Sequence, residues 1–238
     1  MSSLLPVQPA RLGDEPCRLL RALSVVTALA ASAAPAAWAN ERLPIAPVMQ
    51  QTPVWCWAAV GEMVLRYHGY PSINPAGNYQ CGIVGSLGGV CWSQCGQCVM
   101  SIGSADGLIA AIENYQDIAD SLVRHRGERF SLDATGIFDP DEIVAEIDDG
   151  RPVIAGISPS GNGWRYPPGL SEHVALIIGY RDDGRDLVLL VNDPMPYALT
   201  PFDPYLAAGG RMLRPGQYAI AYGTFVDWLG YKDTIEIF

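Results

Sequence analysis

Positive charge and histidine are both scarce in this sequence of 238 residues. It holds 15 Lys and Arg against 25 Asp and Glu, for a formal net charge of −10 at pH 7. Nucleic acids and anionic membranes carry negative phosphate groups, so this charge balance argues against either as a partner. No internal repeat is present after residue 39, which excludes a repeat architecture. With only three histidines, chemistry that needs an imidazole base has few candidates.

The first 39 residues have the pattern of an export signal. A positive n-region precedes an apolar, Ala-rich run from Ala22 to about Ala37, and Ala37-Trp38-Ala39 is an A-x-A cleavage pattern. The n-region consists of Arg11, Arg18 and Arg21. A membrane anchor is the alternative, but the run is shorter than the roughly 20 residues of a spanning helix. We therefore predict export to a secreted or periplasmic location, a mature domain of residues 40–238 and no membrane association after cleavage.

Five cysteines follow the signal, and four of them fall within residues 81–98. Exported proteins normally pair their cysteines, so an odd number leaves one free. Cys56 stands apart and is the expected free thiol. Residues 70–103 are rich in Gly, Ser, Asn and Cys and are predicted to be a loop-like insertion. Two disulfides among the clustered cysteines would staple it, in any of three pairings, and a four-thiolate zinc site is the alternative. The clustered cysteines are Cys81, Cys91, Cys95 and Cys98.

Apolar periodicity divides the domain into a helical part followed by a sheet. Helices are predicted over 56–68, over 105–115, and from Asp139-Pro140 to about Asp149. Strands are predicted over 152–158, 173–180, 187–191 and 217–225, with a turn at 182–184 joining the second to the third. Helices followed by an antiparallel sheet indicate an α+β fold of two packed lobes.

Cys56 lies where the first helix is predicted to begin. A helix N-terminus favours the thiolate form that attacks carbonyl groups. The backbone N–H groups of the first turn have no acceptor within the helix, so they can bind the oxyanion that such an attack creates. This placement makes Cys56 a candidate nucleophile, although a buried structural thiol is an equally good explanation of the spacing alone.

His173 is the histidine best placed to act as a base. His68 lies twelve residues after Cys56 on the same predicted helix, about 18 Å away, which is too far for a hydrogen bond. His125 belongs to a charged, solvated stretch. His173 begins an apolar strand after a loop rich in Gly and Pro, where a structural histidine is the alternative.

The segment Gln50-Gln51-Thr52-Pro53-Val54-Trp55-Cys56-Trp57-Ala58-Ala59 resembles the active-site segment of papain-like cysteine peptidases. In that family a Gln lies six residues before the nucleophile, and Cys-Trp-Ala opens the central helix. The resemblance implies that the Gln50 amide helps to bind the oxyanion; Gln51 is one residue closer. The Trp-Cys-Trp-Ala-Ala run is most similar to bacterial members, the secreted avirulence-effector proteases and the bacteriocin-leader peptidases.

Two later segments carry the same resemblance. His173 to Tyr180 is similar to the histidine strand of papain-like enzymes, and the next strand ends in Val191-Asn192-Asp193-Pro194. By resemblance to the bacterial members, Asp193 is the third member of a triad. Asn192 is the other candidate, because papain itself uses Asn at this place. Neighbouring strand residues face opposite sides, so only one of the two should reach His173.

The resemblance implies acyl transfer without a cofactor or a metal. Cys56 would attack an amide carbonyl of a protein or peptide substrate, and water would hydrolyse the resulting thioester. Transglutaminase or amidase chemistry on the same triad is an alternative, as is a catalytically inactive binding or effector module. The sequence leaves the substrate and the oligomeric state open.

Overall fold

A single antiparallel sheet of eight strands organises the part of the chain that the structure describes. The structure is a computed structural model, and it describes residues 40–122, 129–159, 172–199 and 202–238. The strands are β1 (Glu41–Arg42), β2 (Leu132–Thr135), β3 (Val153–Ile157), β4 (His173–Asp182), β5 (Leu187–Asn192), β6 (Arg211–Arg214), β7 (Gln217–Ala221) and β8 (Tyr231–Ile237). Their order is β2-β8-β3-β4-β5-β7-β6, and β1 pairs with the far end of β4.

Helices pack on this sheet and form the other lobe. They are α1 (Cys56–Tyr67), α2 (Tyr79–Ser86), α3 (Ala105–Leu122), α4 (Pro140–Asp148), α5 (Pro204–Ala207) and α6 (Tyr222–Leu229). Helix α1 contacts α2, α3 and β4, so it lies between the helical lobe and the centre of the sheet. The α+β prediction with two packed lobes is therefore confirmed.

Helix α1 is buried along almost its whole length. Every residue from Cys56 to Leu65 is buried, including the acidic Glu62. Burial of a carboxylate requires partners. Arg66, one turn later, supplies an ion pair 2.7 Å from Glu62, and Gln80 Nε2 donates a hydrogen bond of 3.1 Å. The helix is thus fixed at the core, which gives its first residue a rigid position.

The predicted helix boundaries hold at three N-termini. Helix α1 begins at Cys56 and α3 at Ala105, as expected. Helix α4 begins after Asp139, which accepts a hydrogen bond from Glu142 N and receives the Glu142 side chain on its own N–H in a capping box. Helix α3 runs seven residues beyond its predicted end, because Gln116 and Ala119 on its last turns are also buried.

Two sequence-based predictions of local structure are wrong in part. The strand predicted over 217–225 ends at Ala221, and α6 follows at once. Phe225 and Leu229, spaced by one helical turn, are both buried, and Gly230 closes the helix at φ 64°. The segment predicted to be loop-like, 70–103, contains α2, whose N-cap Asn78 accepts a hydrogen bond from Cys81 N.

Several predictions concern residues outside the described ranges. The export signal, His125 and most of the loop between β3 and β4 lie there. Within the described ranges, no helix combines the length and the apolar character that crossing a bilayer requires.

Candidate active site

The five cysteines that the structure describes form two disulfides and leave one free thiol. Cys81 bonds to Cys95 and Cys91 bonds to Cys98, while Cys56 is free and buried. The pairing that sequence could not choose is therefore resolved by the structure. Because all four clustered sulfurs are in disulfides, none is a thiolate that could bind zinc.

The Cys56 sulfur lies at the start of α1, against the first residues of β4. The sulfur lies next to the imidazole of His173 and to the backbone N–H groups of Val174 and Trp57, close enough for these groups to stabilise a charge on it. Only 8% of the Cys56 surface is exposed. No side chain caps α1 at its N-terminus, so the N–H groups of the first turn stay available to a negative charge.

His173 connects this thiol to a buried carboxylate. Its Nε2 atom lies 2.7 Å from Asp193 Oδ1, and only 2% of the His173 surface is exposed. Since Nε2 faces Asp193, Nδ1 is the ring nitrogen left to interact with Cys56. The described structure thus brings together Cys56, His173 and Asp193, from α1, β4 and the end of β5.

Charge coupling favours a thiolate beside an imidazolium. Burial raises the pKa of the Cys56 thiol, but the neighbouring His173 with its positive charge, and the N–H groups of Val174 and Trp57, bring the pKa below its ordinary value. Burial lowers the pKa of His173, and the charge of Asp193, its hydrogen bond and the Cys56 sulfur together raise it to about 10. Both shifts stabilise the ion pair over the neutral pair.

The structure distinguishes Asp193 from Asn192. Asp193 is fully buried and faces His173, whereas Asn192 turns to the other side, where its Nδ2 donates to Ile45 O at 3.1 Å. Asn192 Oδ1 also accepts a hydrogen bond from Gln217 Nε2 at 2.6 Å. Asn192 is therefore hydrogen-bonded to the Ile45 backbone and the Gln217 side chain, and the Asp193 carboxylate is the group in contact with the histidine.

Gln50 and Gln51 lie on the segment that leads into α1. The backbone N–H of Gln50 donates to Pro194 O at 2.9 Å, which ties this segment to the residue after Asp193. Gln50 Nε2 donates one hydrogen to Thr52 O at 2.9 Å, so its second hydrogen could serve an oxyanion. Gln51 instead exchanges side-chain hydrogen bonds with Asn78 and is exposed. The role of Gln50 stays a prediction.

His68 serves a structural purpose. Its ring stacks on Phe130, with centroids 4.2 Å apart, and contacts Tyr67 edge-on. Burial lowers its pKa, so it is neutral near pH 7. The histidine lies just past the last turn of α1, as expected from its spacing.

A cleft opens beside Cys56 and His173, between α1, the start of α3 and the sheet. One wall is the segment 101–105, and the opposite side carries Gly156, Glu172, Lys232 and Asp233. The two tryptophans next to Cys56 in sequence anchor the chain that leads into segment 101–105. Trp55 Nε1 donates a hydrogen bond to Cys98 O, and Trp57 Nε1 donates one to Met100 O. The disulfide-bonded insertion therefore supports the wall of the cleft.

Sequence analysis did not find the groups that hold Asp193. Met195 N donates to Asp193 Oδ1 at 2.8 Å, and Tyr205 OH donates to Asp193 Oδ2 at 2.9 Å. Tyr197 OH lies 3.5 Å from the same Oδ2 atom. A tyrosine carries no local pattern that marks such a contact, so only the fold reveals it.

Comparison with known proteins agrees with this geometry. No match is found among curated proteins. The sequence profile of the Peptidase_C39 like family matches residues 42–203, about two thirds of the chain, and this range contains Gln50, Cys56, His173 and Asp193. The more specific similarity to avirulence-effector proteases and bacteriocin-leader peptidases stays a prediction. The chain belongs to the Peptidase_C39 like family, in keeping with its resemblance to papain-like cysteine peptidases and with its α+β fold.

Proposed function

We propose that this chain is an exported cysteine peptidase that hydrolyses peptide bonds through Cys56, His173 and Asp193. One observation carries the proposal. The free thiol at the start of α1 lies next to a histidine whose Nε2 atom is 2.7 Å from a buried carboxylate. A nucleophile, a base and a group that orients the base, in contact in that order, are what acyl transfer by a thiol requires.

The reaction begins with the thiolate of Cys56. Its sulfur attacks the carbonyl carbon of the substrate, forming a C–S bond, and the carbonyl oxygen takes the negative charge. As the C–N bond breaks, His173 gives its Nδ1 proton to the leaving amine. Water then attacks the thioester and gives a proton to His173. Breaking the C–S bond releases the acid and restores the thiolate and imidazolium.

Asp193 keeps His173 in the tautomer and orientation that this sequence of steps needs. Its negative charge also stabilises the imidazolium. The oxyanion would be bound by the backbone N–H of Cys56 and, by resemblance to the family, by the side-chain amide of Gln50. Preorganised donors of this kind contribute more than they would in water, because Cys56 and His173 are shielded from solvent.

Export is part of the proposal. It is supported by the signal pattern in residues 1–39 and by the two disulfides, since disulfides persist in oxidising compartments. N-terminal sequencing of the protein recovered from the medium or the periplasm tests it. We expect the mature chain to begin at Asn40, and a retained Ala-rich segment would contradict cleavage.

The activity is tested by alkylation of Cys56 with iodoacetamide at pH 6 under non-reducing conditions, with the label located by mass spectrometry. At this pH an unperturbed thiol is less than about 1% thiolate. We therefore expect His173→Ala to slow labelling of Cys56 by about a hundredfold. His68→Ala is the matched control, because His68 stacks on Phe130 and lies outside the site, and it should label at the wild-type rate.

Hydrolysis is measured in parallel with a peptide library. Cleavage by the wild-type protein that is lost in Cys56→Ala supports a peptidase. Rapid labelling without cleavage, but with transfer of the acyl group to an added amine, would favour an acyltransferase on the same residues. Equal labelling of the wild type and His173→Ala would leave a binding module as the better explanation.

A further inference from the structure

Asp193 needs hydrogen-bond donors for both of its oxygens, because it is completely buried. Burial of a carboxylate is unfavourable unless both oxygens are paired. Oδ1 has His173 Nε2 at 2.7 Å and Met195 N at 2.8 Å. Oδ2 depends on tyrosines, with Tyr205 OH at 2.9 Å and Tyr197 OH at the longer distance of 3.5 Å. Among the residues that the structure describes, Tyr205 is thus the closest donor to the oxygen that does not contact the histidine.

Tyr205 is held in place at its ring and at its backbone. The ring stacks on Tyr218, with centroids 4.2 Å apart and planes 10° from parallel. Its N–H donates to Asp203 Oδ1 at 2.9 Å, and its carbonyl accepts from Gly210 N at 2.8 Å. With 0% of its surface exposed, the side chain has no room to turn away. Its hydroxyl is therefore a fixed donor.

The partner ring of this stack has a different acceptor. Tyr218 OH donates to Asp203 Oδ2 at 2.9 Å and does not bond to Asp193. Burial, followed by the charge of Asp203, raises the pKa of Tyr218, so its hydroxyl keeps its proton. The two stacked tyrosines thus have the same chemistry and similar burial, but only one of them touches the carboxylate of the site.

We propose that Tyr205 is a positioning residue of the active site, which fixes the Asp193 carboxylate so that Asp193 fixes His173. This inference rests on the proposed function. The carboxylate can rotate about its Cβ–Cγ bond unless both oxygens are anchored. Rotation would move Oδ1 away from His173 Nε2. The imidazolium would then be less stable, and so would the thiolate that its charge stabilises. Tyr205 lies beyond residues 42–203, so the family match does not include it.

The test compares Tyr205→Phe with Tyr218→Phe. Both substitutions keep the stacked ring and remove one buried hydroxyl. For each variant, the rate of Cys56 alkylation is measured from pH 4 to pH 10, together with the melting temperature. We expect Tyr205→Phe to slow labelling at pH 6 by about tenfold and to move the half-maximal rate to higher pH, since one hydrogen bond to a charged group is lost. Tyr218→Phe should keep the wild-type pH profile, even if its melting temperature falls as much.

A second measurement covers the case in which Tyr205→Phe does not fold. Wild-type protein labelled with ¹³C at the tyrosine Cζ position is titrated by NMR before and after alkylation of Cys56. The Tyr205 signal should shift when the ion pair titrates and when Cys56 is alkylated, whereas the Tyr218 signal should not. A Tyr205 signal that follows neither event overturns the role of Tyr205.

Failure of this inference differs from failure of the proposed function. If wild-type Cys56 is as unreactive as it is in His173→Ala, the ion pair is absent and both ideas fall. If wild-type Cys56 is activated and Tyr205→Phe has the same rate and pH profile, only the role of Tyr205 is overturned.

Discussion

The indole Nε1 of Trp55 donates a hydrogen bond of 3.2 Å to the carbonyl oxygen of Cys98, 43 residues further along the chain. Trp55 is the residue immediately before Cys56, and Cys98 is a disulfide cysteine whose chain continues into the wall of the cleft. This hydrogen bond therefore links the residue before α1 to the disulfide-bonded insertion.

This connection predicts different effects for the two disulfides. Replacing Cys91 and Cys98 by Ala should lower peptidase activity and Cys56 alkylation, because the acceptors of Trp55 and Trp57 lose their anchor. Replacing Cys81 and Cys95 should affect stability more, since their longer sequence separation of 14 against 7 constrains the unfolded chain by about 0.6 kcal/mol more. Thermal melting and alkylation of both double variants measure the two effects. An equal loss of activity in the two double variants would contradict a specific role of the Cys91–Cys98 disulfide in positioning Cys56.

The pH dependence of alkylation should differ from that of hydrolysis. Alkylation needs only the thiolate, so its rate should rise as pH passes the lowered pKa of Cys56 and then stay high. Hydrolysis also needs a proton on His173, whose pKa is raised to about 10, so its rate should rise over the same acid range and fall above about pH 10. Initial rates of both reactions on one buffer series provide the comparison. Hydrolysis that already falls near pH 7 would show that the imidazolium is not stabilised as described.

Substitution of the adjacent residues Asn192 and Asp193, at the end of β5, should affect different properties, stability for the first and activity for the second. Asp193→Asn removes the charge beside His173 and should reduce kcat/KM by at least about a hundredfold. Asn192→Leu breaks the buried hydrogen bonds to Ile45 O and Gln217, which should cost about 2–4 kcal/mol of unfolding free energy. The folded fraction of Asn192→Leu should keep an activated Cys56. Urea denaturation and active-site alkylation separate the two outcomes, and a reversed pattern would assign the triad to Asn192.

Two glycines of the sheet should tolerate alanine to different degrees. At Gly156 a Cβ atom would meet the end of the Asp233 side chain, which is partly exposed and can move aside. At Gly179 it would meet the backbone of β1, 2.5 Å from Glu41 O and 2.9 Å from Arg42 Cα. Gly179→Ala should therefore lower the free energy of unfolding by about 1–3 kcal/mol, and Gly156→Ala by less than about 1 kcal/mol. Equal losses in chemical denaturation would mean that Asp233 cannot move.

Local patterns predicted most of the elements that position the site. The N-cap at Asp139 and the hairpin across Asp182 to Gly184 follow from side-chain chemistry within a few residues, and the start of α1 at Cys56 follows from the spacing of apolar residues. Asp183 Oδ1, for example, accepts hydrogen bonds from the N–H groups of Arg185 and Asp186 inside that turn. Such interactions are present wherever the local sequence is present.

Elements that depend on distant partners were the ones predicted poorly. The end of β7 and the start of α6 could not be located, because the residues after Ala221 are apolar and suit either a strand or a helix. Burial of Phe225 and Leu229 on one face favours the helix over the strand, and this burial exists only in the packed core. The short strands β2 and β6 likewise depend on the neighbours with which they pair.

The order of the chemical groups along the chain can be read without the fold. A cysteine begins a helix, a histidine begins a strand and an acidic residue ends the next strand, and the number of cysteines after residue 39 is odd. The contacts between distant residues are known only from the fold: Asp193 and not Asn192 faces His173, two specific pairs of cysteines are bonded, and Tyr205 donates a hydrogen bond to Asp193. The physical reason is that these contacts join residues far apart in the chain, through side chains whose directions are set by sheet register and packing.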